Sequence, residues 1–422
     1  MPRMRIVNIL LEFSAPLLLG VVAALVAANV APDWYLAAAH WHPFGPLSFL
    51  GNDVSLHWIM NDIFMVFFFG IAAKEITESC LPGGSLNPPR KAINPLLATI
   101  GGLLGPVAVF FGGLWLCFQT GIYTDADSWS ALSRGWGVPT ATDIALAWLV
   151  ARTVFGPGHP AVGFLLLLAV ADDAIGLVII AVFYGEPVHP TEPIFLGLVL
   201  LGMALAYGMR RFGVQSWWPY VFGAGTLSWF GMILAHLHPA LALVAIVPFL
   251  PGPHRDTGIF RDEDEVDVLG DALAQDLEVS HAPLHLFEHQ TKTFVDVGLF
   301  FFAFTNAGVI FEEIGPMTWL IFAALVVGKT VCVTLMGILG ILLGFPLPNR
   351  MTISDLAFAG FIAALGLTVA LFVATAAFPD PVLQGQAKMG ALLSGIVGVV
   401  AVVLGRLLGI GSAADETASE SK

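Results

Sequence analysis

Apolar residues recur along the chain in runs of about 20, the length that carries a helix across the hydrocarbon core of a bilayer. Short stretches rich in Gly, Pro, Asn and Asp separate the runs. The two-residue alternation of a membrane β-barrel is absent. This pattern predicts twelve helical spans, at roughly 9–31, 57–77, 92–118, 136–152, 160–184, 193–209, 216–234, 237–251, 291–311, 317–344, 353–377 and 386–408. The opening MPRMRIVNILLEFSAPLLLGVVAALVAANV imitates a secretory leader. Its apolar part is too long and lacks a clear small-residue cleavage site, so it reads as the first span.

Composition agrees with the pattern. Of 422 residues, 57% are hydrophobic and only 11% charged, against about a quarter charged in a soluble domain. The class is an all-α polytopic membrane protein. The net charge of −14 comes largely from one acidic segment, Arg255 to Glu278, and from the last residues. Within it, RDEDEVDVLGDALAQDLEVS (261–280) reads as a hydrated cytoplasmic loop, because blocks of like charge stay solvated. Cys80, Cys117 and Cys332 are scattered and odd in number, which argues against a disulfide framework or a zinc site.

The basic residues orient the spans. With the N-terminus in the cytoplasm, only Arg134 and Lys388 of the 17 lysines and arginines fall outside, and Lys329 falls within a span. That bias follows the positive-inside rule and puts both termini in the cytoplasm. On the outer face, PLSFLGNDVSLHW (46–58) carries short β-prone pieces flanking Gly51-Asn52-Asp53, the signature of a hairpin.

The fifth span raises the chemical question. LAVADDAIGLVIIAVFYG (168–185) places Asp172 and Asp173 side by side, with no other Asp, Glu, Lys or Arg between Arg152 and Glu186. Each aspartate at a helix centre costs about 2.5–3.5 kcal/mol on insertion scales. Helix neighbours point about 100° apart, so the two carboxylates face different surroundings and have different roles. Other polar groups at similar depth are few. The fourth span carries Pro139, Thr140, Thr142 and Asp143; the tenth carries Lys329; the eleventh carries Gly366 and Thr368 without charge. Proline beside threonines predicts an unwound helix lining a cavity. A buried lysine needs a counter-ion, and Asp172 is the natural candidate for Lys329. Three acids and one base then leave negative charge to be met by an exchangeable proton or metal cation. Interrupted spans at corresponding places in spans 3–5 and 10–12 point to an inverted repeat with a mid-membrane site. Two other readings compete. A cation-coupled symporter of an organic anion would need a larger cavity and a free cationic anchor. An intramembrane diacid protease or prenyl transferase would need opposed or differently spaced acids.

Seven pieces together resemble the NhaA family of Na⁺/H⁺ antiporters, for which an inverted repeat is itself known. They are SLHWIMNDIFMVFFFG (55–70), GWGVPTATDIALA (135–147), AVADDAIGLVIIAVFYG (169–185), PLHLFEH (283–289), FAFTNAGV (302–309), VVGK (326–329) and GLTVALFVA (366–374). The resemblance implies an electrogenic exchanger, not an enzyme, that exports Na⁺ or Li⁺ against inward protons without a cofactor. It implies the NhaA fold, with two broken helices crossing near the middle of a bacterial inner membrane. It implies one transmembrane domain over 1–410, with a core bundle of 92–184 and 317–408, interface elements at 9–77 and 193–311, and a disordered cytoplasmic tail at 411–422. Exchange would proceed by alternating access, the core bundle moving against the rest. Asp173 matches the family's ion-binding and proton-carrying carboxylate, and Asp172 matches its neighbour, which ligates Na⁺ or pairs with Lys329. Thr142 and Asp143 match the polar pair that compensates the broken helix. Lys74, His238, Glu288 and His289 match residues implicated in pH regulation. Where the family usually reads GLEVKRE, this chain reads GIAAKEI (70–76), so Ala72 replaces an acid assigned to pH sensing. A homodimer joined through the outer hairpin near 46–58 is also implied.

Overall fold

The computed structural model describes residues 15–81, 86, 89–124, 128–156, 158–185, 191–252, 282–348 and 350–410. The acidic loop 261–280, the tail 411–422 and the beginning of the first expected span lie outside these residues.

The described chain is helical apart from one small hairpin. Helices α1 (Ala15–Val30) and α2 (Pro32–Ala39) precede strands β1 (Ser48–Phe49) and β2 (Asn52–Asp53). There follow α3 (Leu56–Ser79), α4 (Pro89–Gln119) and α5 (Trp129–Ser133). The last runs into a 3₁₀ stretch, Arg134–Thr140, and then α6 (Ile144–Phe155), α7 (Pro160–Phe183), α8 (Leu196–Arg211) and α9 (Gly225–Leu234). The chain ends with α10 (Pro283–Asn306), α11 (Pro316–Leu342), α12 (Ile353–Ile362), α13 (Thr368–Ala377) and α14 (Pro381–Leu408). Among the described residues, 6 helices are long and apolar enough to cross a membrane, and up to 7 if the bent pair Trp129–Thr140 and Ile144–Phe155 counts as one span. Their outer faces carry bare apolar side chains, such as Val399, Val403 and Leu407 on α14. Lipid is the solvent such faces require. Single turns of π-helix interrupt α3 at Ile59–Phe64 and α11 at Ala324–Lys329.

The structure departs from the expected spans in three places. Residues 237–251, expected as the eighth span, form no α-helix. They fold through 3₁₀ turns at Pro239–Leu241 and Val247–Phe249, closed mostly by bonds from residue i+3 to residue i. Pro239 and Pro248 withhold two amide donors, while Leu241, Leu243, Ile246, Val247 and Leu250 are buried in a core shared with Tyr220, Leu284 and Phe287. The ninth span begins at Pro283, well before the expected 291, because its polar first turns are covered by protein. A short helix, α2, started by Pro32, occupies the expected outer loop. The hairpin forms, with Ser48 opposite Asp53 and Phe49 opposite Asn52. Its tip is Leu50-Gly51, both at positive φ, as a two-residue loop of type I′ demands, so Asn52 and Asp53 belong to the second strand. His42 Nε2 meets the Asp53 carboxylate at 2.7 and 2.8 Å and ties the hairpin to the preceding loop.

The described residues group into two compact units, one from Met1–Pro88 and Leu177–Gly308, the other from Pro89–Gly176 and Val309–Lys422. In the second unit α4 and α11 approach along a glycine seam. A Cβ on Gly101 would collide with the Cys332 carbonyl, and one on Gly105 with the Gly328 carbonyl. Spacing of Gly101 and Gly105 by four residues is the small-residue pattern that lets membrane helices touch backbone to backbone. Gly105→Val is therefore expected to lower the melting temperature in detergent by several degrees or to prevent folding. Gly112→Val, on the same helix with nothing within 4 Å of the added carbon, is expected to leave it nearly unchanged. Equal effects of the two would show that the seam does not hold this unit.

Candidate functional site

In the second unit two helices are broken and their breaks meet. After the 3₁₀ stretch the backbone is extended at Ala141 and Asp143, and α6 starts afresh at Ile144 with a bend of 45°. Pro139 cannot supply a helical amide at that point. The second break separates α12 from α13 around Gly366. The Asp143 amide donates to Leu365 O at 2.6 Å, and the Thr142 hydroxyl lies 3.1 Å from Ala363 O. A Cβ on Gly366 would come within 2.7 Å of Ala141 O, so only glycine permits the crossing. Ser394 of α14 closes the second break, its Oγ accepting from the Gly366 amide at 3.1 Å.

Asp143 caps two half-helices at once. Its Oδ1 accepts from the Leu146 amide in the first turn of α6 at 3.1 Å. Its Oδ2 accepts from the Thr368 hydroxyl at 2.5 Å and the Thr368 amide at 3.3 Å, at the start of α13. Helix N-termini carry partial positive charge and free N–H groups, so one carboxylate answers both.

Asp172 is held differently. Its Oδ2 accepts from Lys329 Nζ at 2.7 Å and from the Thr142 hydroxyl at 2.7 Å. Lys329 is fully buried and sits at the end of the π turn in α11. Its ammonium also donates to Thr142 Oγ1 at 2.5 Å. Asp173, one residue on, joins neither arrangement, and its Oδ1 is buried with no hydrogen-bond partner. Thus Asp143, Thr142, Asp172 and Lys329 form a connected set, while Asp173 keeps an unsatisfied carboxylate oxygen. Thr368 and Ser394 complete the set. The isolated serine of GALLSGIVG (390–398) was the available signal for Ser394.

The residues matched to pH regulation fall in the first unit. Lys74 is buried and its ammonium meets Glu75 Oε1 at 3.0 Å, Glu78 Oε2 at 2.8 Å and Glu288 Oε2. Sequence reasoning missed Glu75 and Glu78, although Glu78 follows Lys74 by one helical turn, the spacing at which opposite charges pair. His289 is exposed and its ring lies 6.3 Å from that of His285. Ala72 contributes no charge. His238 Nδ1 accepts from the Ala240 amide at 3.4 Å and is 3.9 Å from Asp62 Oδ1.

Long apolar helices with bare outer faces, some of them holding buried charged groups such as Asp172 and Lys329, define the class of multi-pass helical membrane proteins. The family model described as Na⁺/H⁺ antiporter 1 matches residues 11–408. The Na⁺/H⁺ antiporter NhaA of Geobacter metallireducens is 56% identical over 402 residues, 95% of this chain and 97% of that protein. Those of Geobacter sulfurreducens and Desulfitobacterium hafniense are each 54% identical, over 96% and 98% of this chain and 98% of each relative. The chain belongs to the Na⁺/H⁺ antiporter 1 family, a family of transporters rather than enzymes.

The Lys329–Asp172 pair carries a stability prediction. Lys329→Met leaves a buried carboxylate unpaired and is expected to cost about 3–5 kcal/mol. Replacing both partners, Lys329→Met with Asp172→Leu, is expected to recover most of that loss. Denaturation in mild detergent, followed by tryptophan fluorescence, checks this. Simple additivity of the two single losses would refute the coupling.

Proposed function

We propose that this chain exchanges Na⁺ or Li⁺ for protons at one carboxylate site, with proton entry driving the metal ion out. The observation that carries the reading is the inequality of the two adjacent aspartates: Asp172 is engaged by Lys329 and Thr142, whereas Asp173 keeps a buried oxygen with no protein donor. A carboxylate oxygen shut away from water and lacking a donor is costly. A proton or a hard alkali cation relieves that cost, and each excludes the other. Asp143 is already answered by two helix N-termini and Asp172 by an ammonium, so the remaining negative charge is that of Asp173.

In this mechanism Asp173 loses its proton on the cytoplasmic side and takes Na⁺, with Asp172 as a second ligand when Lys329 releases it. Neutralisation by either ion lowers the cost of carrying the site past a dry barrier. Access then alternates to the other face, where protons displace Na⁺. Movement of more protons than metal ions per cycle makes the exchange electrogenic. Asp143 and Thr142 serve as compensation for the broken helices. No cofactor is required.

An inverted repeat in a bacterial inner membrane, both termini cytoplasmic, accords with the distribution of Lys and Arg and with the two broken helices. The exposed hairpin edge at Ser48 and Phe49 supports a homodimer joined near 46–58. Control by pH through Lys74, Glu288, His289 and His238 is supported by the packing of one ammonium among Glu75, Glu78 and Glu288. A symporter of an organic anion is disfavoured, since Lys329, its candidate anchor, is tied to Asp172.

In sealed vesicles the wild-type protein is expected to dissipate an imposed pH gradient when Na⁺ or Li⁺ is added. Asp173→Asn is expected to abolish that response while the protein remains inserted and folded. Normal sodium-dependent dequenching of a pH dye by the variant would remove Asp173 from its role.

A further inference from the structure

Half-helix α13 is held at both ends by one stretch of chain. At its beginning, Asp143 Oδ2 accepts from the Thr368 amide and hydroxyl. At its end, Arg134 Nε donates to Ala377 O at 2.9 Å. Arg134 and Asp143 bound the same segment. The 3₁₀ stretch starts at Arg134, and the extended break that follows it closes at Asp143. The exchange described above uses Asp143 and leaves Arg134 without a role.

Length and packing fit this arrangement. The ten residues of α13 rise about 15 Å as an α-helix, and the seven residues of the 3₁₀ stretch rise about 14 Å. The two elements pack against each other. Since Arg134 meets the end of α13 and Asp143 its beginning, they run in opposite directions. A Cβ on Gly135 would come within 2.6 Å of the Phe378 ring, just past the end of α13, so glycine lets the stretch close on that end. Gln384 of α14 adds a neutral cap there, donating to Phe378 O at 3.0 Å and Thr375 O at 3.4 Å.

The signs of the two charges match the helix. Aligned peptide dipoles leave partial positive charge at a helix N-terminus and partial negative charge at its C-terminus, with unpaired N–H and C=O groups at each. A carboxylate stands at the first end of α13 and a partly buried guanidinium at the second. An isolated helix of this length is marginal, so its position is set by what holds its sides and its ends.

Contacts lead from α13 to the ion site in short steps. Thr368 belongs to the helix, and its partner Asp143 is the neighbour of Thr142. The Thr142 hydroxyl donates to Asp172 Oδ2 at 2.7 Å and accepts from Lys329 Nζ at 2.5 Å.

We propose that Arg134 is a positioning residue for the ion site. Its guanidinium fixes α13 along its axis, which sets Thr368 against Asp143 and, through Thr142, the place of Asp172. Arg134 does not touch the ion. The inference rests on the antiport reading, in which Asp172 is the second ligand to Na⁺. Without Arg134 the far end of α13 is released, Thr368 answers Asp143 less well, and Thr142 no longer holds Asp172 in register. Binding of Na⁺ then weakens more than turnover slows.

The test measures kcat and the apparent KM for Na⁺ with full-length protein in sealed liposomes, and the melting temperature of each variant in detergent. Arg134→Met is expected to raise KM roughly fivefold, the scale of a charge at a helix terminus, with kcat changed less than twofold. Arg134→Lys, which keeps the positive charge, is expected to stay close to wild type. Thr368→Val is expected to raise KM as well, and adding Arg134→Met to it is expected to give little further change, because both act on the same contact. Arg134→Gln replaces the methionine variant if that one does not fold. An unchanged KM overturns the proposal, as does a loss confined to kcat, failure of lysine to rescue, or a double variant whose KM rise is the product of the two single rises. Absence of any sodium-driven proton flux in wild type would overturn the antiport reading itself, and so is distinguishable from failure of the Arg134 proposal alone.

Discussion

The cost of holding carboxylates away from water governs the second unit. Asp172 and Asp173 stand within an apolar helix and Asp143 at a helix break, and each is treated differently. Asp143 faces two helix N-termini through the Leu146 amide and the Thr368 amide and hydroxyl. Asp172 faces Lys329 and Thr142. Asp173 retains a buried oxygen without a donor. The breaks in the two helices follow from the same constraint, because continuous helices would have kept the N–H groups that Asp143 uses. Gly366 lets the crossing close to contact distance, and Ser394 satisfies the backbone there.

The first unit treats charge by the opposite rule. One ammonium, Lys74, gathers Glu75, Glu78 and Glu288. If all three acids are ionised the cluster is left with excess negative charge, and its balance depends on how many protons it holds. Ala72 brings no charge to the cluster, whose acids are Glu75 and Glu78 of α3 and Glu288 of α10.

Much of this was legible in the sequence, for physical reasons that differ by element. Helices α4, α7 and α14 are long and predominantly apolar, so a hydropathy window finds them. The adjacent aspartates stood out because nothing else charged surrounds them. A window judges each segment against lipid, however, and it fails where protein supplies the covering. The start of α10 is polar, yet Leu284, Phe287 and Glu288 are buried, so the helix begins earlier than its hydropathy implies. Residues 239–250 are apolar enough to pass for a span, but their prolines and their place inside the core with Tyr220 and Phe287 draw them into 3₁₀ turns. Glu75 and Glu78 were visible as letters, while their convergence with Glu288 depends on a contact across more than two hundred residues that no local pattern encodes. The hairpin was legible, though not that its tip would be Leu50-Gly51.

Adjacency of the two aspartates is the feature that unites these findings. On the proposed reading, a site that holds an ion loosely needs a negative charge that is only partly satisfied, and such a charge would destabilise a dry interior if it stood alone. Placing a second carboxylate at the next position solves the problem through helix geometry. The turn of about 100° between neighbours directs one side chain to Lys329 and Thr142 and the other away from them. Asp172 can then anchor α7 to α11 through a neutral pair, and Asp173 remains close enough to share the field of that pair without being consumed by it. Two acids a full turn apart would lie on the same face and compete for the same lysine, leaving neither free for an ion.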